Sequence, residues 1–124
     1  MLSKGKQGGR NRVLIIDDDP MVLESLDMLF SHYGWDVLTA EDGDSVIDAL
    51  RPIDYQLAVV DQRMDGTSGI DTIRELKLRS SAPIFMLTGC VDPGLRGEAE
   101  RVGVDRFFDK PVEAAEMIRA LENL

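Results

Sequence analysis

The sequence predicts a doubly wound α/β fold, a parallel sheet with helices on both faces, and three observations lead there. Short apolar runs alternate with helix-period segments five times across residues 13–124. The clearest runs, Val13–Ile16, Leu57–Val60 and Ile84–Leu87, are continuously apolar, as strands buried on both faces must be. The chain has 124 residues, 44% of them apolar, which suits one domain with a real core.

Each element follows from its residues. Residues 1–11 (MLSKGKQGGRN) are polar, basic and Gly-rich without periodicity, and read as a disordered tail preceding a domain over 12–124. Val13–Ile16 is the first strand. Pro20 suits a first helical turn, and Val22, Leu26, Leu29, Phe30 and Tyr33 share one helical face until Gly34 stops the helix. Trp35–Thr39 reads as the second strand, and Val46, Ile47 and Leu50 as a short helix ending at Pro52. Leu57–Val60 is the third strand, after which Ser68 can cap a helix carrying Ile70, Ile73 and Leu76. Ile84–Leu87 is the fourth. Leu95, Ala99 and Val102 mark a weaker helix ended by Gly103, Phe107-Phe108 suggests the fifth strand, and Met117, Ile118 and Leu121 the last helix.

Charge narrows the function. Fourteen basic residues face 23 acidic ones, a net charge of -9. Four of the basic residues (Lys4, Lys6, Arg10, Arg12) lie in the first twelve positions, so the remaining body holds ten basic against 23 acidic groups, net -13. Such a surface argues against direct binding to nucleic acid or to an anionic membrane. No apolar run exceeds four residues, and a single cysteine, Cys90, excludes an internal disulfide framework, so a cytoplasmic location is expected.

The informative residues stand where the strands end. The first run leads into Asp17-Asp18-Asp19 and the third into Asp61; the fourth leads into Thr88-Gly89 and the fifth into Asp109-Lys110-Pro111. In an open parallel sheet these ends lie along one edge, where ligands bind. Three carboxylates about 4 Å apart repel by roughly 4 kcal/mol per pair at an effective dielectric near 20, so the site must take up protons or recruit a cation. An all-oxygen set without His or Cys favours Mg²⁺. A hard cation beside a carboxylate, a hydroxyl and an ammonium suits phosphoryl transfer, with an aspartate attacking phosphorus.

Asp17-Asp18, Asp61, Thr88 and Lys110-Pro111, in that order and at those strand ends, resemble the receiver domain of two-component response regulators, the CheY-like, flavodoxin-like fold. The resemblance spans residues 12–124 and implies a five-stranded parallel sheet of order 2-1-3-4-5 with five helices. It implies Asp61 as phosphoacceptor, with Mg²⁺ held by Asp17, Asp18, Asp61 and the main-chain carbonyl of Arg63. Thr88 would hydrogen-bond the phosphoryl group, Lys110 would pair with it, and Phe107 would turn inward as Thr88 moves. Lys110-Pro111 would be a cis peptide. The implied partners are a sensor histidine kinase or phosphotransfer protein and a downstream output protein or domain, with a phosphorylation-dependent homodimer also admitted. The domain would catalyse only its own phosphorylation and dephosphorylation. Gly89 leaves room for a phosphodonor, and Arg63 and Cys90 hold positions that in this family tend to set the phosphoryl lifetime.

The acceptor loop departs from the family's usual D-x-x-M-P-x-x-x-G. It reads Asp61-Gln-Arg-Met64-Asp65-Gly-Thr-Ser-Gly69, so Asp65 replaces the proline, loosening the loop and adding a negative charge. Two other functions compete. Asp65-Gly-Thr67 echoes the D-x-D-G-T of haloacid-dehalogenase-type phosphatases, but Asp61 stands four residues before Asp65 instead of two. A receiver that has lost its chemistry would act as a phosphorylation-independent interaction module, against which all the site residues are retained. Plainer roles suit the rest: Asp19 as a helix cap, His32 as a dipole residue, Cys90 as a packed thiol and Phe107 as core.

Overall fold

The apolar runs become strands whose alternating side chains divide between two helix layers. The structure, a computed structural model, describes residues 3–4, 11–42, 55–64, 67–89, 93–112 and 114–123. In chain order the strands are β1 (Ser3–Lys4), β2 (Arg12–Ile16), β3 (Asp36–Ala40), β4 (Leu57–Asp61), β5 (Arg63–Met64), β6 (Thr67–Ser68), β7 (Ile84–Thr88) and β8 (Arg106–Asp109). The helices are α1 (Pro20–His32), α2 (Gly69–Arg79), α3 (Pro93–Val102) and α4 (Ala114–Glu122). The main sheet runs β1-β3-β2-β4-β7-β8. Its five parallel strands, numbered along the chain, stand in the order 2-1-3-4-5, the CheY-like arrangement.

Strand periodicity sends Leu14, Ile16, Leu38, Ala40, Ala58, Val60, Ile84 and Met86 to one face, where Ile70, Ile73 and Leu76 of α2 and Ala99 of α3 cover them. Val13, Ile15, Val37, Leu57, Val59, Phe85, Leu87 and Phe108 point the other way, against Leu23, Leu26 and Phe30 of α1 and Met117 and Ala120 of α4. Each face thus has its own core, and for that reason the central strands are continuously apolar between their polar ends, Arg12 at the start of β2 and Asp61 and Thr88 at the ends of β4 and β7.

The helix ends follow local chemistry. Asp19 accepts a hydrogen bond from the Met21 amide at 2.9 Å, and Pro20 opens α1. Gly34 (φ 86°) and Gly103 (φ 111°) take left-handed conformations that let α1 and α3 stop.

Four details differ from the sequence reading. Tyr33 is not on the buried face of α1. It is the helix's C-terminal cap, 54% exposed, and Leu23 takes the core position instead. The second strand begins at Asp36, while Trp35 stays outside it and packs edge-on against Phe30, ring centroids 5.7 Å apart. Within the tail expected to lack structure, Ser3–Lys4 pair antiparallel with Thr39 and Leu38 at the sheet edge. The acceptor loop contains a hairpin, β5–β6, that no periodicity announced. The helix expected at Val46, Ile47 and Leu50 lies outside the described residues.

Candidate functional site

Strand register assembles the site. Ile16 pairs with Val60, Asp61 with Leu87 and Thr88 with Asp109, so β2, β4, β7 and β8 end nearly level. The chain leaves β2 for β3 on one side and returns to β4 on the other, which opens a crevice between the ends of β2 and β4. Asp17 and Asp61 flank it. Both are buried, at 0% and 4% exposure, whereas Asp18 is exposed.

Backbone hydrogen bonds fix these positions. The Asp17 amide donates to the Ala40 carbonyl at 3.1 Å, the Gln62 amide to Leu87 at 2.9 Å, and the Lys110 amide to Thr88 at 2.9 Å. Asp17 Oδ1 accepts from the Asp19 amide at 2.9 Å, which turns the chain sharply between β2 and α1. Lys110 Nζ lies 2.9 Å from Asp61 Oδ1 and 3.0 Å from Asp17 Oδ2. The Asp17 contact is an ion pair by distance but lacks the alignment of a hydrogen bond, so Asp17 Oδ2 retains accepting capacity. Burial pulls the Lys110 ammonium down. Its close pairing with the Asp61 and Asp17 carboxylates outweighs that effect and holds it above the usual lysine value.

Carboxylate oxygens of Asp17, Asp18 and Asp61 lie within 4.8 Å of one another. Three carboxylates face the single ammonium of Lys110, and all the donors are oxygen. This triad could bind a divalent metal, and the remaining capacity of Asp17 Oδ2 fits a hard cation. A cavity of about 350 Å³ opens beside it, lined by Asp18, Asp61, Gln62, Thr88, Gly89 and Lys110. Its walls offer a carboxylate, a hydroxyl and an ammonium together.

The other expected residues are placed as follows. Arg63 contributes its backbone to β5 opposite Ser68. The Lys110–Pro111 peptide is cis. Phe107, in β8, is half-buried against the α2–α3 core, with Arg96 Cζ 4.6 Å from its ring centroid. His32 is exposed in the last turn of α1 and meets the Tyr33 ring edge-on. Asp65 and Cys90 lie outside the described residues. Sequence reasoning missed Gln62, whose Oε1 is buried without a hydrogen-bond partner, and Arg96, whose contact joins separate elements. No spacing signal marks either.

Comparison with known proteins adds independent observations. The family described as "Response regulator receiver domain" matches residues 13–122. The transcriptional regulatory protein FixJ of Bradyrhizobium diazoefficiens is 31% identical over 115 residues, covering 92% of this chain and 56% of that protein. The chain spans about half the length of the curated relatives it matches. A two-component response regulator from Clostridium difficile superposes with a TM-score of 0.88 at 18% identity, over 92% of this chain and 94% of that one. A response regulator from Burkholderia pseudomallei, solved with a phosphorylated aspartic acid, a calcium ion and citrate, superposes with a TM-score of 0.82 at 24% identity, over 90% and 66% of the two chains.

Proposed function

The chain belongs to the response regulator receiver domain family, and from that premise we propose that Asp61 is its phosphoacceptor. Receiver domains are signalling modules that partner with histidine kinases, and this one carries the acidic pocket of Asp17, Asp18 and Asp61 for phospho-aspartate signalling. The observation that carries the assignment is Lys110 Nζ, 2.9 Å from a buried Asp61 that also lines the open cavity.

In the reaction an Asp61 carboxylate oxygen attacks phosphorus. A new P–O bond forms, the P–N bond of a donor phosphohistidine breaks, and the imidazole nitrogen keeps the electron pair. In dephosphorylation, water oxygen attacks the same phosphorus, the P–O bond to Asp61 breaks with its electron pair left on the carboxylate, and inorganic phosphate leaves with the water's protons shared between it and solvent. Asp17, Asp18, Asp61 and the Arg63 carbonyl would hold Mg²⁺, which neutralises charge on the transferring group. Lys110 pairs with the phosphoryl oxygens, and Thr88 donates its hydroxyl to them. Phe107 then repacks behind Thr88 and changes the surface of α3 and β8. Reversing a 1:99 equilibrium takes about 5.5 kcal/mol of differential interaction, within reach of two charge-assisted hydrogen bonds plus the metal.

The phosphoryl source is a sensor histidine kinase or phosphotransfer protein. The apolar cavity of about 440 Å³ beside Lys110, between Val22 and Leu26 of α1 and Pro111-Val112, supports docking of such a donor. The solved relative with a phosphorylated aspartic acid and a calcium ion supports the chemistry by analogy. The output is a downstream protein or domain, as for a receiver-family signalling module. The domain would catalyse only its own phosphorylation and dephosphorylation, bind no nucleic acid itself and work in the cytoplasm. No helix among the described residues is long and apolar enough to cross a membrane.

The test is incubation with a small acyl phosphate and Mg²⁺, followed by intact-mass measurement. Wild type should gain one phosphoryl group and Asp61→Asn none. An equal gain in both proteins would sink the assignment.

A further inference from the structure

We infer that Gly69 is a positioning residue for the phosphoacceptor, and that it must be glycine because the main chain of Asp61 occupies the place of its side chain. This inference rests on the reading of Asp61 as acceptor. A Cβ built on Gly69 would overlap the Asp61 carbonyl oxygen and lie 2.9 Å from Gln62 Cα and 3.1 Å from the Gln62 carbonyl oxygen. The contacts with the Asp61 oxygen and Gln62 Cα are closer than real Cβ atoms come, and the obstructing atoms are backbone, which no side-chain rotation can move aside. The requirement is for room rather than torsion, since among the described glycines only Gly34 and Gly103 have positive φ.

The surroundings hold both sides of this contact in place. The Gly69 amide donates to the Gln62 carbonyl at 3.0 Å, and the Gln62 amide donates to Leu87 at 2.9 Å. The Asp61–Gln62 segment is therefore held between the end of β7 and the start of α2. The hairpin pairs Arg63 with Ser68 and Met64 with Thr67, which returns the chain to its starting point at Asp61. Behind Gly69, Ile70, Thr72, Ile73 and Leu76 seat α2 in the core. An added methyl must shift either a packed helix or the main chain of Asp61 and Gln62. The second gives way first, because five buried residues seat α2 whereas Gln62 is held by backbone hydrogen bonds to Leu87 and Gly69. The shift moves the Asp61 carboxylate away from Lys110 and moves Arg63, whose carbonyl is the fourth proposed metal ligand. A misplacement of about 1 Å is enough to cost on the order of 100-fold in rate.

The experiment compares wild type, Gly69→Ala and Gly97→Ala, phosphorylated by a small acyl phosphate over a Mg²⁺ titration. Gly97 lies in α3, and a Cβ there meets only the Arg101 guanidinium at 3.9 Å. Gly69→Ala should phosphorylate at least tenfold more slowly and need severalfold more Mg²⁺ for half-saturation. Gly97→Ala should stay within twofold in both. Partial unfolding alone would raise the Mg²⁺ half-saturation only by the inverse of the folded fraction, which circular dichroism of the variant without Mg²⁺ supplies. A half-saturation within twofold of wild type in Gly69→Ala overturns the inference. If that variant does not fold, Mg²⁺ titration of wild type followed by amide resonances decides. The Gly69 amide, which is no ligand, should shift with the same midpoint as Gln62 and Arg63, and a Gly69 amide that does not respond overturns the inference. Failure of wild type itself to be phosphorylated at Asp61 would instead overturn the reading beneath it.

Discussion

α2 and α3 cover the same face of the sheet, each following a strand that ends in the site, yet they are held differently. α2 buries Gly69, Ile70, Thr72, Ile73 and Leu76. α3, with Gly94 and Gly97 in its sequence, buries only Ala99 among its described side chains, while Leu95 and Val102 are partly covered. An exposed ion pair, Arg74–Glu98 at 3.2 Å, links the two and contributes little. The site thus has a braced half and a loose half. Asp61 sits on the braced side, where a reacting group must be held still. Thr88 and Phe107 sit on the loose side, where rearrangement costs least. Chemistry and readout are divided between neighbouring helices.

Core truncation tests this contrast most severely. Leu76→Ala in α2 should cost about 2–5 kcal/mol, the range for a fully buried leucine. Leu95→Ala in α3 should cost no more than about 1 kcal/mol. Denaturant titration measures both, and equal losses would erase the distinction. Metal should act on the braced half. Mg²⁺ at 100 times its dissociation constant should stabilise wild type by roughly 2.7 kcal/mol in thermal unfolding, and much less in Asp61→Asn.

Lys110 joins the strands and titrates at high pH. Its folded value lies above 10.5, so its ion pairs contribute full stability below the unfolded value and lose it as pH rises through the folded one. Lys110→Met should lose about 2 kcal/mol at neutral pH and lack that alkaline step in a pH series of urea melts. The smallest effect belongs to Arg96. Its contact with the Phe107 ring is worth about 0.5–1 kcal/mol, and Arg96→Ala should lower stability by no more than that. The same variant should leave Phe107 more mobile in side-chain relaxation measurements.

Much of this was legible in the sequence because parallel strands buried on both faces must be apolar throughout, and because their ends must converge. Val13–Ile16 and Leu57–Val60 mark their own positions, and Asp17 and Asp61 follow directly. Less was legible where geometry depends on distant backbone. Tyr33 has helical spacing but lies one residue past the helix, where the chain is already turning at Gly34. The β5–β6 pairs involve two residues per strand, too few for any period to show. Gly69 is visible as a glycine at the right spacing, but its reason is a carbonyl eight positions earlier. Arg96 over Phe107 joins α3 to β8, and nothing local to either residue encodes it.

Hydrogen exchange, measured on wild type and Asp61→Asn with and without acyl phosphate and Mg²⁺, tests the central claim most directly. Phosphorylation at Asp61 should alter protection in residues 93–102 and 106–109 of wild type, leave α2 unchanged over 70–79, and have no effect on Asp61→Asn. A response confined to α2, or one that appears equally in Asp61→Asn, would contradict it.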